Sequence, residues 1–196
     1  MVQNNPFVGT KIASAKLEME AAMSILPADV QAGLANGTLK MVDAIIYSTK
    51  ALNADTTIEL MEASDNKKEG ITNLNNRKLE ALNYFLLKGI RLQTATVAGE
   101  AAITDAVMAA QDYQGIVPAV ANGELEILIS GKTAYPRNSN KVFDTNFTSV
   151  KGLYTLECPR VIAPQSEIVP TLRLNASTGG RVVTRIELLG VKVIPA

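Results

Sequence analysis

The residues of this chain that could do chemistry are few, and they do not converge. Glu124 and Glu126 stand two apart in an alternating segment, so both carboxylates share one face of a strand. Paired carboxylates can cleave a glycosidic bond. Opposite Leu125 and Ile127, the same pair reads more simply as the solvated face of a half-buried strand. Cys158 is the single cysteine, and the sequence has no histidine to activate it. Standing before Pro159 on an apolar strand, it is expected to be buried packing. Asp65, Asn66 and Glu69 offer oxygen ligands without the ordered spacing of a calcium loop. Gly179-Gly180 is followed by no Lys-Ser/Thr pair and no helix, so it is not a phosphate loop. Lys67, Lys68, Arg77 and Lys78 form a basic cluster diluted by Asp65, Glu69 and Glu80. Glu167, Arg173, Arg185 and Glu187 are expected to pair across strands. Asn36, Asn146 and Asn175 each begin an Asn-X-Ser/Thr triplet and read as turn chemistry.

Composition narrows the classes further. The 196 residues carry 19 basic and 19 acidic side chains, so no net field draws the chain to nucleic acid or an anionic membrane. Nucleic-acid contact stays open but is not indicated. The lack of histidine removes the commonest general base and the usual zinc ligand. Tryptophan is absent and aromatics are 5%, which leaves stacking platforms for sugars or bases poorly supplied. No cofactor, metal, small-molecule substrate or catalytic residue is expected, and the chain is read as non-enzymatic. No apolar run approaches the roughly 20 residues of a spanning helix, and the N-terminus carries no secretory signal pattern.

The elements that would position these residues are mainly strands. Residues 1–37 read as an N-terminal arm with one or two helices, and residues 38–196 as a β-sandwich. Lys11–Leu26 has the best helical pattern: Ile12, Ala15, Met19, Ala22, Met23 and Leu26 recur at three- and four-residue spacing. Pro27 stops it and can open a short helix over Ala28–Ala35, ended by Asn36-Gly37. Strands are expected over Leu39–Lys50, Thr56–Met61, Leu82–Val97, Glu124–Ser130, Val142–Val150 and Gly152–Cys158. In the third, Phe85 and Leu87 share one parity and Ile90 and Leu92 the other, so Gly89 predicts a β-bulge. Ala98–Ala110 is expected to be a helix in a crossover between two sheets, Ser64–Gly70 and Lys132–Asn140 to be loops, and Ile71–Asn76 fits no single pattern. The last stretch, Val161–Ala196, has two alternating segments around Gly179-Gly180 and predicts an antiparallel hairpin whose last strand sits centrally. A further bend or bulge is expected at Gly190. Val183 and Leu189 are apolar on the outward parity, as a strand buried in an assembly would be.

Eight strands with long connections imply an antiparallel jelly roll with an N-terminal helical arm and one crossover helix. The layout resembles single jelly-roll coat or capsid proteins of icosahedral viruses and bacteriophages. The residues that carry the resemblance are FLLKGIRLQTA at Phe85–Ala95, GLYTLECPRVIAP from Gly152, and EIVPTLRLNAS ending at Ser177. The resemblance implies a structural, self-assembling virion protein made in the host cytoplasm, with copies of itself and other virion proteins as partners. Its contacts would run through the sandwich and the arm, with Ile12, Met19, Met23, Leu26, Val183 and Leu189 as interface candidates. The chain departs from many coat proteins in lacking a strongly basic arm. The rival readings are a carbohydrate- or receptor-binding sandwich and a cupin-like metal oxygenase; scarce aromatics oppose the first and missing histidines the second.

Overall fold

The computed structural model describes residues 23–52, 55–99, 102–144 and 152–196. The expected helix Lys11–Leu26 therefore lies outside the described residues except at its end. In chain order the elements are α1 (Ala28–Ala35), β1 (Leu39–Leu52), β2 (Thr57–Glu59), β3 (Tyr84–Thr96), α2 (Asp105–Ala109), α3 (Pro118–Ala121), β4 (Glu124–Ile129), β5 (Lys132–Ser139), β6 (Leu153–Ile162), β7 (Ile168–Arg173) and β8 (Val182–Pro195). A 3-10 turn covers Asn140–Phe143 between β5 and β6.

The strands form two four-stranded antiparallel sheets, β1-β8-β3-β6 and β2-β7-β4-β5. β1 pairs with β8, β2 with β7, β3 with β6 and β4 with β5. The chain is thus one long hairpin, rolled so that successive rungs fall in alternate sheets. Ladders between β3 and β8 and between β4 and β7 stitch the roll together. Its tip is Ser130-Gly131, both at positive φ, joining Ile129 to its partner Lys132. Two left-handed residues give a turn whose twist matches the flanking strands.

Side-chain alternation places the core between the sheets. Phe85, Leu87, Ile90, Leu92, Ile186 and Leu188 from one sheet meet Leu125, Ile127, Ile168 and Leu172 from the other, all fully buried. The predicted bulge is present: the registers of β3 with both neighbours shift between Leu87 and Gly89. The extra residue returns Ile90 and Leu92 to the inner face. β3 leads to β4 in the opposite sheet through a connection holding α2 and α3, and so crosses between sheets as expected. α2 is only five residues long, opened by Thr104, whose hydroxyl accepts from the Val107 N–H. α1 covers the predicted residues, with Gly37 at φ +78° just beyond its end.

Four expectations need correction. β7 and β8 do not form a hairpin: they lie in opposite sheets and face each other across the core. A strand pair with one apolar face each and a glycine turn between them fits a corner as well as a hairpin, and only the sheet partners decide. β8 is nonetheless central, between β1 and β3. Second, Gly190 carries no bulge, because β8 keeps one register with β1 from Val182 to Pro195. Leu189, Val191 and Val193 all share the outer parity. Gly190 is required for another reason: a Cβ there would stand 2.0 Å from the Leu86 carbonyl oxygen. Third, Lys132–Ser139 is a strand, not a loop. It is an edge strand with an irregular register, and only Ala134 and Tyr135 are buried, so its sequence shows no sustained alternation. Pro136 is tolerated because an edge can lack a ladder donor. Fourth, Val142–Val150 does not begin as a strand, since Val142 and Phe143 lie in the 3-10 turn; residues 145–150 are outside those described.

Candidate functional site

The outer face of the β1-β8-β3-β6 sheet carries the features that could serve a partner. Odd-numbered residues of β1 and β8 point out here. At one end α1 covers the face: Leu26 and Val30 are buried on Val193, beside Met41, Tyr84 and Val161. At the other end α2 covers it, with Met108 against Val97 and Val183. Between these helices lies a groove of about 470 Å³ lined by Asp43, Ala44, Ile45, Lys88, Leu189, Gly190 and Val191. Ile45 is 43% exposed, unusual for an isoleucine paired in register with Leu189 on a central strand. Asp43 and Lys88 border the groove from opposite sides, and among the described residues neither side chain has an ion-pair or hydrogen-bond partner.

Next to the groove the face turns polar. Glu187 accepts from Arg91 at 2.9 Å and from Arg185 at 2.8 Å. The Arg185 guanidinium lies 4.1 Å over the Tyr47 ring and also donates to the Gly70 carbonyl oxygen. One carboxylate between two guanidiniums, with an aromatic face beneath one of them, is a stable half-buried lattice rather than a reactive centre. The ion pairs expected among Glu167, Arg173, Arg185 and Glu187 across a hairpin do not form, because β7 and β8 lie in opposite sheets: Glu187 pairs with Arg91 and, along its own strand, Arg185, while Arg173 pairs with Glu126 and Glu167 with Arg77 and Lys78.

The edge of β1 beside this face is closed by one side chain. The Asn73 Oδ1 accepts from the Tyr47 N–H at 2.9 Å, and its Nδ2 donates to the Ile45 carbonyl oxygen at 2.7 Å. The Asn73 N–H also donates to the Tyr47 carbonyl oxygen, and the Thr49 N–H donates to that of Ile71. Asn73 therefore imitates a neighbouring strand and blocks pairing with another chain. Sequence reading found no pattern in this segment because the segment caps an edge and does not extend a sheet.

The structure places the six interface candidates differently from one another. Ile12 and Met19 lie outside the described residues. Met23 is half-buried at the start of the description. Leu26 is 3% exposed and Val183 is fully buried, both covered by the chain's own helices. Leu189 lines the open groove. Sequence reading missed Ile45, Asp43 and Lys88, whose outward orientation depends on the register of β1 and the bulge of β3.

The remaining candidates do not assemble into a reactive site. Glu124 and Glu126 face out beside Arg137 and Arg173, opposite the buried Leu125 and Ile127. The basic cluster is neutralised: Lys67 pairs with Glu80, Lys68 with Asp105, Arg77 with Glu59 and Glu167, and Lys78 with Glu167. Asn36 makes turn chemistry, its Oδ1 accepting from the backbone and hydroxyl of Thr38. Cys158 is exposed, which corrects its expected burial. Between Thr155, opposite Gly89, and Arg160, opposite Leu87, β6 has more residues than β3, so Cys158 and Pro159 loop out of the ladder at the sheet edge.

A second, polar cleft of about 750 Å³ is lined by Lys50, Asp55, Glu59, Glu62 and Arg77. Its cations are already engaged, Lys50 with Glu62 and Asp65 and Arg77 with Glu59. Burial disfavours the Lys50 charge, but hydrogen bonds to Asp65 and Glu62 outweigh it and hold the ammonium above its usual range. Near the opposite sheet, burial and the neighbouring Tyr154 push the Tyr135 phenol up to about 12. Tyr135, Phe143 and Tyr154 pack as tilted and edge-on rings 5.7–6.5 Å apart, a structural cluster. Among the described residues no group of three or more histidine, cysteine, aspartate or glutamate side chains could hold a metal ion, and no helix is long and apolar enough to cross a membrane.

No family model and no curated protein matches the chain. Among solved structures it is similar to the acidic stable capsid structure of Helicobacter pylori bacteriophage KHP30. The two are 10% identical over 81% of this chain and 94% of that one, with a TM-score of 0.37.

Proposed function

We propose that the chain is a jelly-roll subunit that builds a symmetric shell, as a capsid protein or another structural component of a virion. What supports this reading is the strand order. Pairing β1 with β8, β2 with β7, β3 with β6 and β4 with β5, with alternate rungs in opposite sheets, is the arrangement of a hairpin rolled into a jelly roll. That sandwich recurs in capsid, lectin and cupin domains. A sequence without histidine suits neither cupin metal chemistry nor acid–base catalysis, and one without tryptophan poorly suits a lectin. The half-open apolar strip on the outer sheet suits contact between protein surfaces. The chain then acts as a building block and not an enzyme. Its partners are copies of itself and other virion proteins, and it reaches the virion after synthesis in the host cytoplasm.

Light scattering after size-exclusion chromatography tests the reading, with negative-stain images of the same fractions. Closed particles or defined rings are the expected result. A strict monomer at high concentration overturns the proposal.

A further inference from the structure

We infer that the Leu39–Asp43 part of β1 pairs edge to edge with the same segment of a second copy, antiparallel about a two-fold axis, with Met41 opposite Met41. The inference deepens the shell reading and rests on it only in taking copies of the chain to meet. Its basis is an accounting of sheet edges. Two four-stranded sheets have four edge strands, here β1, β6, β2 and β5. An edge strand presents unpaired backbone groups, and proteins blunt such edges by shortness, proline, bulges or cover. β2 is only three residues long. β5 carries Pro136 and an irregular register. β6 is interrupted where Cys158 and Pro159 leave the ladder. The later part of β1 is closed at Ile45, Tyr47 and Thr49 by Asn73 and Ile71. The first part of β1 keeps one unbroken register with β8 and carries none of these devices.

The direction of its backbone groups follows from their neighbours. The Tyr47 and Thr49 N–H groups point away from β8, whereas the Thr38 carbonyl oxygen accepts from the Ala196 N–H on the β8 side. Odd-numbered residues therefore turn their N–H and C=O outward, and in the open part these are Leu39, Met41 and Asp43. Among the described residues nothing bonds to them there. Side chains then select the register. An axis through Lys40 or Asp43 would set like charges directly opposite each other. An axis through Val42 would bring the second copy's Thr38 alongside Ile46, into the space where the Asn73 side chain bridges Ile45 and Tyr47. An axis through Met41 avoids both: Leu39 lies opposite Asp43 and Lys40 opposite Val42. Three residue pairs then exchange two bonds each, about six in all. Ile45, 43% exposed, falls diagonal to the second copy's Leu39 on the outer face. The two sheets merge into one that runs through both copies, a self-complementary contact of the kind two-fold dimers use.

Lys40→Cys, Met41→Cys, Val42→Cys and Asp43→Cys, each in the full-length chain with Cys158→Ser, test the register under mild oxidation. Met41→Cys should give a disulfide-linked dimer about tenfold faster than the other three, because only its symmetry mate stands directly opposite, at a Cα separation of about 5.5 Å. Fastest linkage through position 40, 42 or 43, or no linked dimer, overturns the inference. Asp43→Pro tests the backbone. Its lost N–H points outward, so the ladder with β8 and the far-UV spectrum should survive. Association measured by analytical ultracentrifugation should weaken by about tenfold, as the loss of one or two interchain bonds requires. Unchanged association overturns the inference, and if the proline prevents folding the cysteine series still decides. Particle formation measured in parallel separates the two proposals. Dimers linked through position 41 that form no larger assembly sink the shell reading alone, and particles without that linkage sink the edge pairing alone.

Discussion

Replacing Gly190 by alanine tests the rolled topology at its tightest point. Gly190 sits on the central strand β8 and faces the inner side, paired with Leu87 of β3 just before the bulge. An added Cβ would lie 2.0 Å from the Leu86 carbonyl oxygen, 2.9 Å from its carbon and 3.0 Å from the Phe85 Cζ. The oxygen belongs to backbone in a paired strand, so it cannot rotate aside. A carbon ordinarily keeps about 3.3 Å from such an oxygen, so β3 and β8 must part by about 1 Å. Overpacking costs about 1–3 kcal/mol, and stretching the adjoining ladder hydrogen bonds adds roughly 1 kcal/mol each, for a total of about 3–5 kcal/mol. That is a large share of the stability of an ordinary domain. Urea unfolding followed by far-UV circular dichroism measures it. Gly89→Ala is the control: its Cβ would meet the Leu153 Cδ1 at 3.1 Å and the Tyr154 carbonyl oxygen at 3.3 Å, contacts that a small adjustment relieves. Its cost should be about 1 kcal/mol. If Gly190→Ala unfolds within about 1 kcal/mol of the parent protein, the close approach of the paired strands β3 and β8 is wrong, and the bulge assignment with it.

Three other outcomes are expected. Asn73→Ala removes both side-chain bonds to the β1 edge and should cost about 1–2 kcal/mol, with faster hydrogen exchange at the Tyr47 amide; unchanged protection there would disprove the edge cap. Lys50→Met should lose up to about 1 kcal/mol near neutral pH. Because the folded pKa of Lys50 is raised above 10.5, its contribution is complete below that pH and fades as pH rises through the folded value. The difference between the two proteins in thermal melts should therefore shrink in alkali, and a constant difference refutes the pairing. Tyr135 should ionise near pH 12 in an ultraviolet titration, and its stabilising effect should be complete below 10 and lost as pH climbs to about 12. A Tyr135→Phe protein that keeps the same late-titrating phenol would reassign that shift to another tyrosine.

Several features were legible in the residues alone because their physics is local. The parity change around Gly89 announced a bulge, since a period of two cannot keep Phe85, Leu87, Ile90 and Leu92 on one face without an extra residue. Pro27 and Asn36-Gly37 bounded α1 through restrictions on their own and neighbouring dihedrals. Alternation located β3, β4 and β8, while β-branched enrichment and short length located β1, whose spacing alone could suit a helix. Tertiary structure decided which strands became partners. β7 and β8 carry the same signal whether they pair or face each other, because alternation records burial on one side and not the identity of the neighbour. β5 escaped notice because an edge strand needs little apolar sequence. Cys158 proved exposed because the irregular pairing of β6 with β3 lifts it from the ladder. The candidate groove was the least legible feature of all. Leu189 alone was read as outward and apolar; Ile45 and Val191 read as ordinary strand residues, and only the placement of α1 and α2 on either side leaves all three half-open. A residue's apolar character is fixed by its side chain, but whether that character is satisfied depends on what the rest of the fold lays over it.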